Sequence, residues 1–155
     1  MGVAGCGKST IGKALAEHLG WDFFDADDFH PPENITKMTA GIPLDDDDRD
    51  PWLNTLHNLI ADRLRDHRPA VLACSALKER YRLRLLANNP GVQLVYLQGS
   101  YDVIRERLAA RPDHYMKPAM LRSQFAALEE PADALTIDVT LPVAQAVARI
   151  AAFLK

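Results

Sequence analysis

The chain has 155 residues and a mass of 17.2 kDa, enough for one domain built around one core. Apolar residues make up 48% and charged residues 25%, which argues against a disordered chain, and a net charge of −3 lacks the basic excess of a nucleic-acid binder. No apolar run approaches the ~20 residues a membrane helix needs. An opening on glycines and a lysine does not read as a secretory leader. Cys6 and Cys74 cannot make a disulfide framework, so a reducing cytosol is the expected setting.

Residues Gly2-Val3-Ala4-Gly5-Cys6-Gly7-Lys8-Ser9 fit the phosphate-binding pattern G-x-x-x-x-G-K-[ST] at every fixed position. A helix is predicted to follow, with Ile11, Ala14, Leu15, His18 and Leu19 on one face and Gly20 as its stop. Residues 21–27 read as a short strand ending in acids. Residues 28–50 read as a polar stretch punctuated by Pro31, Pro32, Gly41 and Pro43. A helix is then expected from Asp50 as N-cap and Pro51 in the first turn, with Trp52, Leu53, Leu56, Leu59, Ile60 and Leu64 facing inward. Residues 70–74 form a predicted strand apolar on both faces, followed by a basic helix over 78–88. A strand over 92–97 precedes a helix capped by Ser100 and carrying Val103, Ile104 and Leu108. The charged stretch 111–117 breaks the pattern. Pro118 opens a helix with Leu121, Phe125 and Leu128, residues 136–140 form a last strand, and Pro142 starts a closing helix. Strands alternating with helices predict an α/β fold with a parallel sheet covered on both faces, in one domain spanning 1–155.

A phosphate loop normally follows a buried strand, yet only Met1 precedes Gly2. Four large aliphatic side chains on such a strand would contribute ~6–12 kcal/mol, against a whole-domain stability of ~5–15 kcal/mol. Its absence would also leave two strand edges uncovered. The expectation is a product that starts several residues upstream, with Met1 an internal methionine. The alternative is that another segment fills the central position.

The loop glycines let successive N–H groups point at phosphate oxygens, and the helix behind them adds its positive end. Residues Gly2 to Ser9 and the adjoining Thr10 are thus the candidate nucleotide site. Lys8 would place its charge on the β- and γ-phosphates, and Ser9 would offer a hydroxyl to Mg²⁺. Asp25 and Asp27 stand at the end of a predicted strand, where ligands of open α/β sheets bind, and period two puts both carboxylates on one side. One can hold the metal through water and the other can accept a hydroxyl proton; a solvated turn of acids is the other reading. The run Asp45-Asp46-Asp47-Asp48 reads as hydrated surface or a helix start, while Arg49 can pair bidentately with carboxylate or phosphate. Ser75, Lys78, Tyr81 and Arg82 follow a buried strand, and Lys78 and Arg82, four apart, share a face that could meet an anion or simply be exposed. Arg105, Arg107 and Arg111 bracket the 111–117 break and suit a lid over about 105–120, or a basic surface helix. His114 alone reads as structural or exposed. Cys6, near a helix N-terminus, is expected to alkylate readily and to be protected by ATP; Cys74 reads as core.

Together these segments resemble the gluconokinase family of small P-loop kinases, related in fold to shikimate and adenylate kinases. The resemblance is carried by the phosphate loop, by Asp25-Ala26-Asp27-Asp28-Phe29-His30-Pro31, by Asn34-Ile35-Thr36-Lys37-Met38, and by Gly41-Ile42-Pro43-Leu44 running into Asp46-Asp47-Asp48-Arg49 and Pro51-Trp52-Leu53. It continues through Cys74-Ser75-Ala76-Leu77-Lys78 with Tyr81-Arg82, through Arg107-Leu108, Arg111 and His114, and through Ser123-Gln124-Phe125 and Leu128-Glu129-Glu130-Pro131. It implies a P-loop NTPase fold like that of nucleoside monophosphate kinases, and transfer of the γ-phosphate of ATP to the 6-hydroxyl of D-gluconate. A homodimer is implied as well. By similarity Lys8 and Ser9 serve ATP and Mg²⁺, Asp27 is the base, and Asp25 lies near the metal. Arg49, Lys78 and Arg82, with His30, would hold the sugar acid, and Arg107 and Arg111 would be lid arginines. Cys6 stands where relatives often carry serine, which matters little where the backbone binds phosphate. The rival readings are a kinase for shikimate or another polyhydroxy acid, and a nucleotide-binding module without catalysis.

Overall fold

The computed structural model describes residues 1–110 and 118–155. Helix α1 (Lys8–Leu19) leaves the glycine loop from Gly7, whose φ of 97° suits a residue without a Cβ, and ends at Gly20, which donates to the Ala16 and Glu17 carbonyls. It buries Ile11, Leu15 and Ala16. Strand β1 (Asp22–Asp25) lies so close behind α1 that a Cβ on Gly12 would stand 2.7 Å from the Phe23 ring.

After a 3₁₀ turn (Ala26–Phe29) come α2 (Pro32–Thr39) and α3 (Asp46–Arg65). The expected polar stretch over 28–50 therefore contains a turn and a helix. Pro32 opens α2, and Asn34, buried, donates from Nδ2 to the Asp48 carbonyl 2.8 Å away. The start expected at Asp50 is also corrected. Asp45 is the N-cap: its carboxylate accepts from Asp48 N at 2.8 Å, while the Asp48 carboxylate accepts from Asp45 N at 3.1 Å. The acids of the run fill the first turn, where the helix dipole favours them. Pro51 lies inside the helix and cannot donate to the carbonyl four residues earlier.

Strand β2 (Ala70–Ala73), α4 (Glu79–Leu86), β3 (Val95–Gln98), α5 (Tyr101–Ala109), α6 (Pro118–Ala127), β4 (Leu135–Asp138) and α7 (Val143–Phe153) complete the described order. β1 pairs parallel with β2, Asp22 opposite Ala70 and Asp25 opposite Ala73. β3 pairs parallel with β4, Val95 opposite Leu135 and Gln98 opposite Asp138. Parallel pairs need helical crossovers, and the intervening helices supply them.

The two pairs are bridged by Met1 and Gly2. Leu97 N donates to the Met1 carbonyl at 3.0 Å, the Met1 ammonium donates to the Val95 carbonyl, and Gly2 N donates to the Ser75 carbonyl at 3.2 Å. Below them a cavity of about 510 Å³ runs between β2 and β3, walled by Ile11, Val71, Leu72, Leu85, Leu94 and Val95 among others.

One apolar cluster, with Ile11, Leu15, Leu97, Ile104, Ile137 and Ile150, joins α1, α5 and α7 to the β3–β4 pair. A second, with Ala26, Trp52, Leu53, Leu56, Tyr81 and Leu85, joins α3 and α4 to the turn after β1. Among the described residues no helix is long and apolar enough to cross a membrane.

Candidate active site

The loop before α1 curls through Gly5 (φ 82°) and Gly7 (φ 97°). α5 lies hard against it, so a Cβ on Gly5 would stand 2.7 Å from Leu108 Cγ. Lys8 Nζ donates to the Val3 carbonyl at 3.0 Å, which holds the ammonium over the loop. Cys6 is fully buried, its sulfur turned into the core. The expected ready alkylation is therefore corrected: a reagent cannot reach the thiol without opening the fold. Burial also pushes the Cys74 thiol up to about 11, in keeping with a core residue.

Ser9 Oγ donates to Asp25 Oδ2 at 2.6 Å, so the end of the loop and the end of β1 meet directly. Asp25 caps the 3₁₀ turn by accepting from Asp27 N at 3.2 Å. β1 stops at Asp25, and Asp27 is projected by the turn rather than by strand alternation, its side chain 84% exposed. Ser9 and Asp25 present the hard oxygen donors that suit Mg²⁺, which keeps several waters and usually takes only one or two protein carboxylates. Among the described residues there is no group of three or more His, Cys, Asp or Glu side chains placed to hold a metal.

The His30 side chain, only 6% exposed, has Nε2 4.0 Å from Asp27 Oδ1. Its ring stacks on Trp52, with centroids 4.5 Å apart at 10°. Trp52 Nε1 in turn donates to the Ala26 carbonyl at 2.7 Å, and Asn34 Nδ2 lies 3.5 Å from His30 Nδ1. Burial holds the His30 pKa below the ordinary histidine value; Asp27 opposes this and Arg49 adds to it, so the ring is neutral at pH 7.

Arg49 reaches back to the Leu44 and Asp45 carbonyls at 2.5 and 3.0 Å, with its guanidinium 5.8 Å from the Tyr81 ring centre. Lys78 caps α4 and donates to Asp46 Oδ1 at 3.1 Å; Tyr81 Oη and Arg80 converge on the same carboxylate. Asp46, Arg49, Lys78 and Tyr81 thus form one polar cluster at the start of α3. Arg82 does not join it. The shared face with Lys78 is corrected because Lys78 precedes the helix, and Arg82, 7% exposed, donates inward to the Ala76 and Leu77 carbonyls at 3.1 and 3.0 Å. Ser75 lies at the exit of β2, where its carbonyl receives Gly2 N. Arg107 donates to the Val139 carbonyl at 2.5 Å, which ties α5 to the end of β4. Arg111 and His114 lie outside the described residues, as does the middle of the expected lid.

Gln124, on α6, was not singled out as a site residue by the sequence, yet its Oε1 accepts from Ala4 N at 2.7 Å. In the sequence Trp52 stands out only as part of an apolar face, and Asp46 only as one acid of a run. No local pattern marks any of the three, because their partners lie 120, 26 and 32 residues away.

A family model described as Shikimate kinase matches residues 4–152. A probable gluconokinase of Mus musculus is 44% identical over 164 residues, covering 92% of this chain and 89% of its own. The thermoresistant gluconokinase of Escherichia coli K12 is 43% identical over 152 residues, covering 96% and 87%. Among solved structures, a gluconokinase from Sinorhizobium meliloti 1021 superposes with a TM-score of 0.85 at 42% identity over 99% of this chain and 92% of its own. An unliganded sugar kinase from Janibacter gives 0.91 at 40%, covering 99% and 91%. A shikimate kinase from Aquifex aeolicus, 18% identical with a TM-score of 0.57 over 99% and 92%, shares the fold.

Proposed function

Because the chain belongs to the gluconokinase family, within the shikimate kinase-like P-loop kinases, we propose that it transfers the γ-phosphate of ATP to the 6-hydroxyl of D-gluconate. The observation that carries this reading is the Ser9–Asp25 hydrogen bond, which joins the phosphate loop to the turn that presents Asp27. Loop amides and Lys8 hold the triphosphate. Mg²⁺, held by Ser9 and Asp25, would supply charge neutralisation of the phosphates. Asp27 accepts the hydroxyl proton as the acceptor oxygen attacks, and its open carboxylate suits that part. Neutral His30, braced by Trp52, can hydrogen-bond the polyol beside it.

The sugar acid's carboxylate is assigned to Arg49 and Lys78. Arg82 contributes by fastening the Ala76–Leu77 backbone from which Lys78 projects. Arg107 and Arg111 are assigned to the transferring phosphate, and residues 1–155 to a single kinase domain. The homodimer and a cytoplasmic setting rest on the family alone. Phosphoryl transfer is mostly positioning and charge stabilisation, so the reading requires no nucleophilic side chain.

A coupled assay for ADP release across D-gluconate, other sugar acids and shikimate tests it. The highest kcat/KM is expected for gluconate; a higher value for shikimate would overturn the assignment.

A further inference from the structure

Several donors of the phosphate loop are occupied by acceptors of the protein itself, Gly2 N by the Ser75 carbonyl and Cys6 N by the Val3 carbonyl among them. Lys8 Nζ is taken by the Val3 carbonyl, which belongs to the loop. Ala4 N–H is taken by Gln124 Oε1 at 2.7 Å, from a helix 120 residues away. Since a backbone N–H can only donate, it fixes the carbonyl end of the Gln124 amide at the loop. The other end, Nε2, has no acceptor among the described residues.

α6 is firmly placed. Leu121 is buried, and Phe125 meets Tyr101 edge to face with centroids 5.5 Å apart. Just past the helix, Glu129 N donates to the Leu77 carbonyl at 2.9 Å. Gln124 is thus a neutral acceptor, held on a packed helix, against an amide of the phosphate loop. A carboxylate there would repel a triphosphate; a carboxamide satisfies the N–H without charge and offers two donors of its own.

We infer that Gln124 is a nucleotide-positioning residue: its carbonyl stands in for a phosphate oxygen at Ala4 N–H, and in the nucleotide complex its –NH₂ donates to the terminal phosphate. This rests on the reading of the loop as an ATP site but not on the identity of the acceptor, so it is tested by binding alone.

Dissociation constants for ATP and for ADP would be measured by calorimetry for the wild type, Gln124→Ala and Gln124→Glu. A hydrogen bond to a charged phosphate corresponds to about tenfold or more in affinity. Gln124→Ala is therefore expected to weaken ATP about tenfold and ADP less than about twofold. Gln124→Glu keeps the acceptor for Ala4 N–H, so its Tm should stay at the wild-type value while ATP weakens further than in the alanine variant. Should Gln124→Ala fold poorly, the isosteric glutamate variant decides. If both variants kept the wild-type ratio of ATP to ADP affinity, Gln124 would be only a tie between α6 and the loop. A wild-type chain that bound no ATP would overturn this inference together with the ATP-site reading, whereas poor turnover of gluconate with intact ATP binding would overturn only the acceptor assignment.

Discussion

In a protein that begins at Met1, the free amino group lies between β2 and β3 and donates to the Val95 carbonyl at 2.5 Å. Burial pushes its pKa down to about 6 from 8.0. Between these values the unfolded chain holds a proton that the folded chain has released, so unfolding takes up a proton and stability rises with pH. Below pH 6 both states are charged, and the folded one carries the full cost of keeping an ammonium out of water. Two pH units correspond to about 2–3 kcal/mol at about 1.4 kcal/mol per unit. For a chain of this size that is about 4–12 °C in Tm. His30 adds a rise of the same sign in the window just below 6.5, because its folded pKa is also depressed.

The assay is a set of urea melts from pH 5.5 to 8.5 on free and Nα-acetylated protein. The free chain should gain stability between pH 6 and 8. The acetylated chain should lose that rise and keep the lower one from His30. Equal slopes above pH 6.5 in the two proteins would refute the placement of the amino group.

Asp27→Asn should lower kcat by ~10²–10⁴-fold and leave the ATP dissociation constant unchanged, whereas Lys8→Ala should weaken both; unchanged turnover in the first removes Asp27 from the mechanism. Trp52→Phe removes the indole donor to the Ala26 carbonyl and should cost about 0.5–1.5 kcal/mol in urea melts. Asp45→Ala should cost ~0.5–2 kcal/mol through the lost α3 cap, read in the same melts, with ATP binding intact. Joining four aliphatic residues ahead of Met1 should raise the urea midpoint, since ~6–12 kcal/mol of apolar burial together with new ladder hydrogen bonds at about 0.5–1.5 kcal/mol each exceeds about 6–12 kcal/mol of backbone and side-chain ordering; an unchanged midpoint would mean that the cavity between β2 and β3 does not accept a strand.

The parts of the molecule readable from the sequence are those whose cause is local. The glycine spacing of residues 2–9, the Gly20 stop, the Ser100 cap and the alternation of strands with helices each need only neighbours a few residues away. Sequence and structure part where a local signal has a stronger competitor. Pro51 resembles a first-turn proline, but the reciprocal Asp45–Asp48 pair starts α3 earlier, and aspartate there is a less usual partner than glutamate or glutamine. Lys78 and Arg82 share a face only if both are helical, and α4 begins at Glu79. The ready alkylation expected for Cys6 assumed an exposed helix end, while packing against Val3, Leu97 and their neighbours encloses the sulfur. Gln124 on Ala4 and Trp52 on Ala26 depend on tertiary placement, to which no spacing rule applies.

Trp52 sits on α3, three residues beyond Arg49, and its indole is pinned to the backbone between Asp25 and Asp27 while its face supports His30. The helix that would grip the acceptor's anionic end and the turn that would deprotonate its alcohol therefore shift as one rigid lever. An acceptor stripped of its carboxylate would release the handle of that lever. The expected penalty then falls on the speed of the chemical step as well as on affinity, since grip at one end of the sugar is converted into alignment at the other.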